Sequence, residues 1–103
     1  LPNRAKIISF HGTDDTVIPY EGGTVTWLNR TFYGAHESIF YFAKAKGYSG
    51  EILSVNGLNT INFNIKAYPY LNQSVVHYKI LEGSHGLNEY KNDIASIVRS
   101  HIE

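Results

Sequence analysis

The 103-residue chain is long enough for one small domain with its own core and too short for two. Its make-up, 43% apolar, 14% aromatic and 17% charged, is that of a globular protein, and nine basic side chains balanced by nine acidic ones leave no net field to draw in nucleic acid or an anionic membrane. The absence of cysteine excludes disulfides, a thiolate nucleophile and cysteine-based zinc, and no apolar run approaches the roughly 18 residues of a membrane span.

In chain order, Lys6 to Phe10 reads as a buried strand, with Ile7, Ile8 and Phe10 running into His11-Gly12. Residues 13–35 are rich in Gly, Thr and Asn and read mostly as loop, with a turn of helix expected around Val25 to Leu28. His36 to Lys46 is expected to be helical, with Ile39, Phe40, Phe42 and Ala43 on one face and Gly47 as a left-handed cap. Asn56-Gly57 suits a two-residue hairpin turn, and Ile61, Phe63 and Ile65 alternate with Asn62 and Asn64 as in a half-buried strand. Val75 to Leu81 reads as a second core strand. Asn88 is a candidate N-cap for a last helix carrying Tyr90, Ile94, Ile97, Val98 and Ile102 at helical spacing.

This order of elements predicts one α/β domain over 1–103. Strands joined through a crossover helix should be parallel, and ligands then bind beyond their C-terminal ends. His11 to Asp15 and Gly83 to Gly86 both fall at such ends, 70 residues apart. A carboxylate at Asp15 can orient an imidazole, and a neutral imidazole at His85 can take a hydroxyl proton and return it to a leaving group. Each residue also has a simpler reading, Asp15 as a turn former and His85 as a surface histidine. Acid before base, at the ends of successive core strands, is the order of α/β-hydrolases.

The run His11-Gly12-Thr13-x-Asp15-x-Val17-Ile18-Pro19-Tyr20-x-Gly22-Gly23 resembles the acid loop of the poly(3-hydroxybutyrate) depolymerase and feruloyl esterase group of α/β-hydrolases. Ile80-Leu81-Glu82-Gly83-Ser84-His85 is similar to that group's last strand and histidine loop, and Phe42-Ala43-Lys44-Ala45-Lys46-Gly47 to the helix between them. The resemblance implies the C-terminal portion of an α/β-hydrolase sheet, its last parallel strands with flanking helices. Asp15 would be the triad acid and His85 the base of a serine esterase acting on a feruloyl, acetyl-xylan or polyhydroxyalkanoate ester. The implied enzyme is extracellular and needs no cofactor or metal. Tyr48-Ser49 stands where many members carry a cysteine, and Gly86-Leu87 where many carry Trp-Pro, so the particular ester is left open.

The nucleophile elbow Gly-x-Ser-x-Gly should precede the acid, and the ten residues before His11 do not hold it. Gly47-Tyr48-Ser49-Gly50-Glu51 lacks the last glycine, and Ser84 abuts His85 too closely to present its hydroxyl to that ring. The chain is therefore expected to be the C-terminal part of an enzyme whose serine lies upstream, partnered by the missing N-terminal portion. The alternative is a non-catalytic α/β module that binds carbohydrate or protein through its eight tyrosines and Trp27. His11, His36, His77 and His101 lack metal-site spacing, and His11 and His77 are expected to be structural. Asn29-Arg30-Thr31 and Asn72-Gln73-Ser74 match the N-glycosylation acceptor pattern.

Overall fold

The computed structural model describes residues 6–54 and 56–102. Strand β1 (Ile7–Gly12) starts the main sheet, and β2 (Gly23–Val25) and β3 (Arg30–Phe32) form a small antiparallel ribbon around a 3-10 turn at Thr26–Leu28. Helix α1 (Ala35–Ala45) follows, then β4 (Leu58–Asn59), β5 (Ile65–Tyr70), β6 (Val75–Ile80), a 3-10 turn at Asn88–Tyr90 and helix α2 (Lys91–Ile102). The main sheet has the order β1-β6-β5-β4. β6 is parallel to β1 and antiparallel to β5, and β4 is antiparallel to β5.

The expected parallel pairing of the first and last core strands is present, and the architecture is mixed α/β. The sheet is not, however, a run of parallel strands. Its other half is an antiparallel hairpin, and these four strands with two helices do not constitute an α/β-hydrolase fold.

Alternation along β6 distributes its side chains between two cores. Val75 packs with Tyr68, Tyr70, Ile39 and Ala43 beneath α1, whereas Val76, Tyr78 and Ile80 pack with Ile65 and Ile97 beneath α2. The helices therefore cover opposite faces. Ile65, Ile80 and Val75 are wholly buried, each such side chain contributing about 1.5–3 kcal/mol. The α1 face becomes polar toward the end of β6, where His77 and Lys79 follow Val75.

Helix α1 ends as its sequence requires. Gly47 takes φ +111°, and the N–H groups of Gly47 and Tyr48 donate to the carbonyls of Lys44 and Ala43. Only Ile39 and Ala43 are buried on it; Phe42, expected on the inner face, is 48% exposed. Asn88 opens the 3-10 turn and supplies no side-chain cap, and Ile102 projects into solvent.

The hairpin expected at Asn56-Gly57 is not formed: residues 46–54, directly before it, hold no strand, and Val55 lies outside the described residues. Ile61 and Phe63 are exposed rather than half-buried in a strand. Side chains there satisfy the backbone in place of a ladder. Thr60 Oγ1 donates to the Ile65 carbonyl (2.8 Å), Asn62 Oδ1 accepts from Asn64 N (2.9 Å), and Asn62 O accepts from Ile65 N (2.9 Å). Short polar side chains of this kind compete with sheet formation. The true hairpin joins β5 to β6 through Leu71, Asn72 and Gln73, all left-handed at φ 51°, 55° and 68°. Such a residue costs about 1–2 kcal/mol when it carries a Cβ. Gln73→Gly is expected to stabilise the protein by about 0.5–1 kcal/mol, raising the urea midpoint; an unchanged or lower midpoint would show that the turn is not strained.

Candidate active site

Because β1 and β6 are parallel neighbours, with Gly12 opposite Ile80, their C-terminal loops emerge side by side. The backbones interlock. Thr13 N donates to Ile80 O (2.9 Å), Asp14 N to Gly83 O (2.9 Å), and Glu82 N to Thr13 Oγ1 (2.8 Å). The approach needs glycine, since a Cβ on Gly12 would lie 2.0 Å from the carbonyl oxygen of Gly83. Glu82 turns the chain at φ 61°, a left-handed conformation held immediately before the histidine loop.

These contacts bring Asp15 and His85 together, with His85 Nδ1 2.8 Å from Asp15 Oδ2. The carboxylate is buried, its side chain 4% exposed. Its Oδ1 accepts from Val17 N and Ile18 N, both at 2.8 Å, and its Oδ2 faces His85 Nδ1 and, at 3.0 Å, His11 Nε2. Three hydrogen bonds thus hold the carboxylate, while the His11 Nε2 hydrogen goes to the Ile18 carbonyl at 2.8 Å. Burial raises the Asp15 carboxyl, but hydrogen bonds from His85, Ile18 and Val17 outweigh it and leave the pKa below its ordinary value.

An ionised Asp15 only accepts, so Nδ1 of His85 carries the proton. In the neutral ring Nε2 is then the lone-pair nitrogen. Nε2 has no hydrogen-bond partner among the described residues, and the side chain is 54% exposed. A buried carboxylate thus fixes the tautomer of an imidazole whose basic nitrogen faces solvent, the arrangement of a general base. Asp14, beside the acid, is exposed and contributes its backbone N–H to the loop contact.

No serine hydroxyl among the described residues is hydrogen-bonded to His85. Ser84 is exposed beside it. Ser49 stands at the other end of the sheet: its neighbour Tyr48 packs edge-on against Tyr70, which pairs with Val75 at the start of β6. The length of β6, roughly 17 Å at strand rise, separates the two.

Beneath the loops lies a polar cluster that only strand register reveals. His77 is completely buried; Nδ1 lies 2.9 Å from Ser9 Oγ, its register partner, and Nε2 2.7 Å from the Tyr20 hydroxyl. His36 stacks on it at 5.0 Å and meets the Tyr70 hydroxyl at 2.7 Å. Burial lowers both rings, His77 to about 3 and His36 to about 4, with the positive charge of Lys79 assisting in each case. Sequence spacing gave no signal for this cluster, since its members come from β1, the Asp15 loop, α1, β5 and β6. Among the described residues no group of three His, Cys, Asp or Glu is placed to hold a metal ion.

No family model, no curated protein and no solved structure matches the chain. The Asp15–His85 pair is therefore defined by its own geometry.

Proposed function

We propose that the chain supplies the acid, Asp15, and the base, His85, of a Ser-His-Asp triad in a carboxylic-ester hydrolase, with the nucleophilic serine contributed by residues outside these 103. The observation that carries this reading is the 2.8 Å bond between His85 Nδ1 and buried Asp15, with Nε2 open to solvent. In this reading the sheet is the last part of a larger α/β-hydrolase sheet continued on the side of β1 away from β6. Substrates are feruloyl, acetyl-xylan or polyhydroxyalkanoate esters. An extracellular location belongs to the same proposal, and the exposed turn positions of Asn29 and Asn72 suit it.

In this reading His85 and Asp15 carry the proton path. Nε2 of His85 takes the proton as serine oxygen attacks the ester carbonyl, and Asp15 stabilises the imidazolium through Oδ2. The imidazolium then gives that proton to the departing alcohol, leaving an acyl-enzyme. In the second half Nε2 takes a proton from water, the hydroxide oxygen bonds to the acyl carbon, and the returned proton frees the serine.

His85→Ala in the full-length protein is expected to lower turnover of p-nitrophenyl acetate or methyl ferulate by about a thousandfold or more. Near-normal turnover would sink the assignment. A second reading, a non-catalytic module binding carbohydrate or protein, is favoured by the exposed aromatics Trp27, Tyr33, Tyr41 and Phe42. On that reading His85→Ala leaves binding intact, while Trp27→Ala or Tyr33→Ala weakens it.

A further inference from the structure

We propose that the cleft between α1 and β6, where Lys79 meets His36, binds the carboxylate group of a small organic acid. Binding there does not depend on the esterase reading; only its use in choosing among ester substrates rests on that reading.

Strand register builds the floor of the cleft. Alternation places Val75, His77 and Lys79 of β6 on the α1 face, and the partners of Lys79 in its cross-strand row are His11 on β1 and Lys66 on β5. Two lysines directly opposite each other repel. Lys66 turns away, donating to Asn59 Oδ1 (2.6 Å) and lying over the Phe63 ring. Lys79 is half-buried, with its ammonium 5.4 Å from the centre of the Tyr20 ring, and it makes no hydrogen bond or ion pair among the described residues.

His36 supplies a second donor. The Tyr70 hydroxyl accepts from Leu53 N (3.0 Å), so its own hydrogen goes to His36 Nε2 at 2.7 Å. The neutral ring then carries its hydrogen on Nδ1. Stacked on His77 at 5.0 Å and packed against Tyr68 at 4.5 Å, the ring is held in place. Its Nδ1–H has no partner among the described residues. No buried side-chain nitrogen there lacks a partner, so Nδ1 of His36 and Nζ of Lys79 both open into the cleft. The cleft holds about 280 Å³ and is walled by Tyr20, Leu53 and Tyr68.

Two unpaired donors in one cleft, one of them charged, suit the two oxygens of a carboxylate. Glu21 and Glu37 stand at the rim, both exposed, with Glu37 accepting from Gly34 N (3.3 Å). They do not set the field at the floor. His36 feels the positive charge of Lys79, and no carboxylate opposes it. A half-buried ammonium without a partner has lost part of its hydration, which a bound anion replaces. An adjoining pocket shares Tyr20, Glu21 and Lys79 with the cleft and reaches Asp15, so an acid held on Lys79 lies beside the loop of the acid–base pair.

The test follows the His36 ring nitrogens by 1H–15N NMR as sodium D-glucuronate, sodium acetate or neutral D-glucose is added to the full-length protein at fixed ionic strength. Glucuronate is expected to shift the His36 Nδ1 signal saturably. It should also raise the pKa of that ring from about 4, because an adjacent anion favours the charged form. Glucose should do neither. Lys79→Gln should weaken glucuronate binding about tenfold, the size of one lost charge-assisted bond, and Lys79→Arg, which keeps the charge, should retain it. Acetate binding as tightly as glucuronate identifies a free small acid, such as a released product, as the ligand. Glucuronate binding about tenfold tighter identifies an acidic sugar, and with it an ester on an acidic glycan. No saturable shift with either acid, or equal shifts with glucose, overturns the proposal, as does a Lys79→Gln protein that binds like the wild type. Should Lys79→Gln fail to fold, the comparison of acid with glucose and the rise in the His36 pKa still decide. His85→Ala should bind both acids unchanged, so an active His85→Ala protein removes the esterase reading and leaves this one standing.

Discussion

Gly12→Ala is expected to leave the protein largely unfolded at room temperature, or with its melting temperature lowered by tens of degrees. The added Cβ would meet the oxygen, carbon and Cα of Gly83 at 2.0, 2.3 and 2.8 Å, all of them backbone atoms. No rotamer change relieves such a clash, so the loops after β1 and β6 must separate. Separation breaks the bonds of Thr13 and Asp14 to the β6 loop and pulls Asp15 away from His85. A loss above about 4 kcal/mol is expected, against a total of about 5–15 kcal/mol for a typical domain. The other glycines of the site supply an internal scale. At Gly83 the nearest obstacles are the side-chain ends of Ile80 and Leu87, both at 2.8 Å, which can shift. At Gly86 nothing lies closer than 3.6 Å. Urea unfolding of the three alanine variants should therefore rank Gly12 far worst, Gly83 intermediate and Gly86 near wild type. A Gly12→Ala protein melting within a few degrees of wild type would mean that the loops are not packed as described.

Acid should unfold the protein well above the range where carboxylates titrate. His77 and His36 are held near pKa 3 and 4 in the folded chain, against about 6.5 when unfolded. Their pKa values are depressed on folding, so the unfolded state binds more protons at every pH between those limits. Stability is thus fully present above about pH 6.5 and declines as pH falls toward 4. Each histidine contributes a slope of about 1.4 kcal/mol per pH unit, or nearly 3 for the pair. Asp15, whose pKa is also lowered, has the same sign and adds its loss only below its ordinary value of 3.8. The groups facing the stacked pair do not offset this. Lys79 and His11 would repel a charge on His77, and Tyr20 and Tyr70, whose hydroxyls burial holds above their ordinary pKa, carry no negative charge at these pH values. Melting temperature should drop steeply between pH 7 and 5, and His77→Gln, which can still bond Ser9 and Tyr20, should roughly halve that slope. A flat profile over this interval would exclude a buried neutral pair.

The motif residues were legible in the sequence because strand ends and glycine-flanked turns are local features. Ile7 to Gly12 and Val75 to Ile80 announce themselves by short apolar runs, and Gly47 announces the end of α1. The segment from Asn56 to Ile65 misleads for an equally local reason. Its alternation imitates a strand, but Thr60 and Asn62 spend their polar groups on the backbone and displace the strand to Ile65–Tyr70.

By itself, then, the sequence determined two core strands, two helices and the loops that carry Asp15 and His85, all set by periodicity and turn chemistry within a few residues. Tertiary structure alone decided that β6 lies antiparallel to β5 on its other side, that Gly12 touches Gly83, and that His77 meets Ser9 and Tyr20. It also decided that His11 braces the Asp15 loop through the Ile18 carbonyl. Each of these depends on register or approach between segments that meet only on folding, and no pattern within either segment encodes where the other will lie.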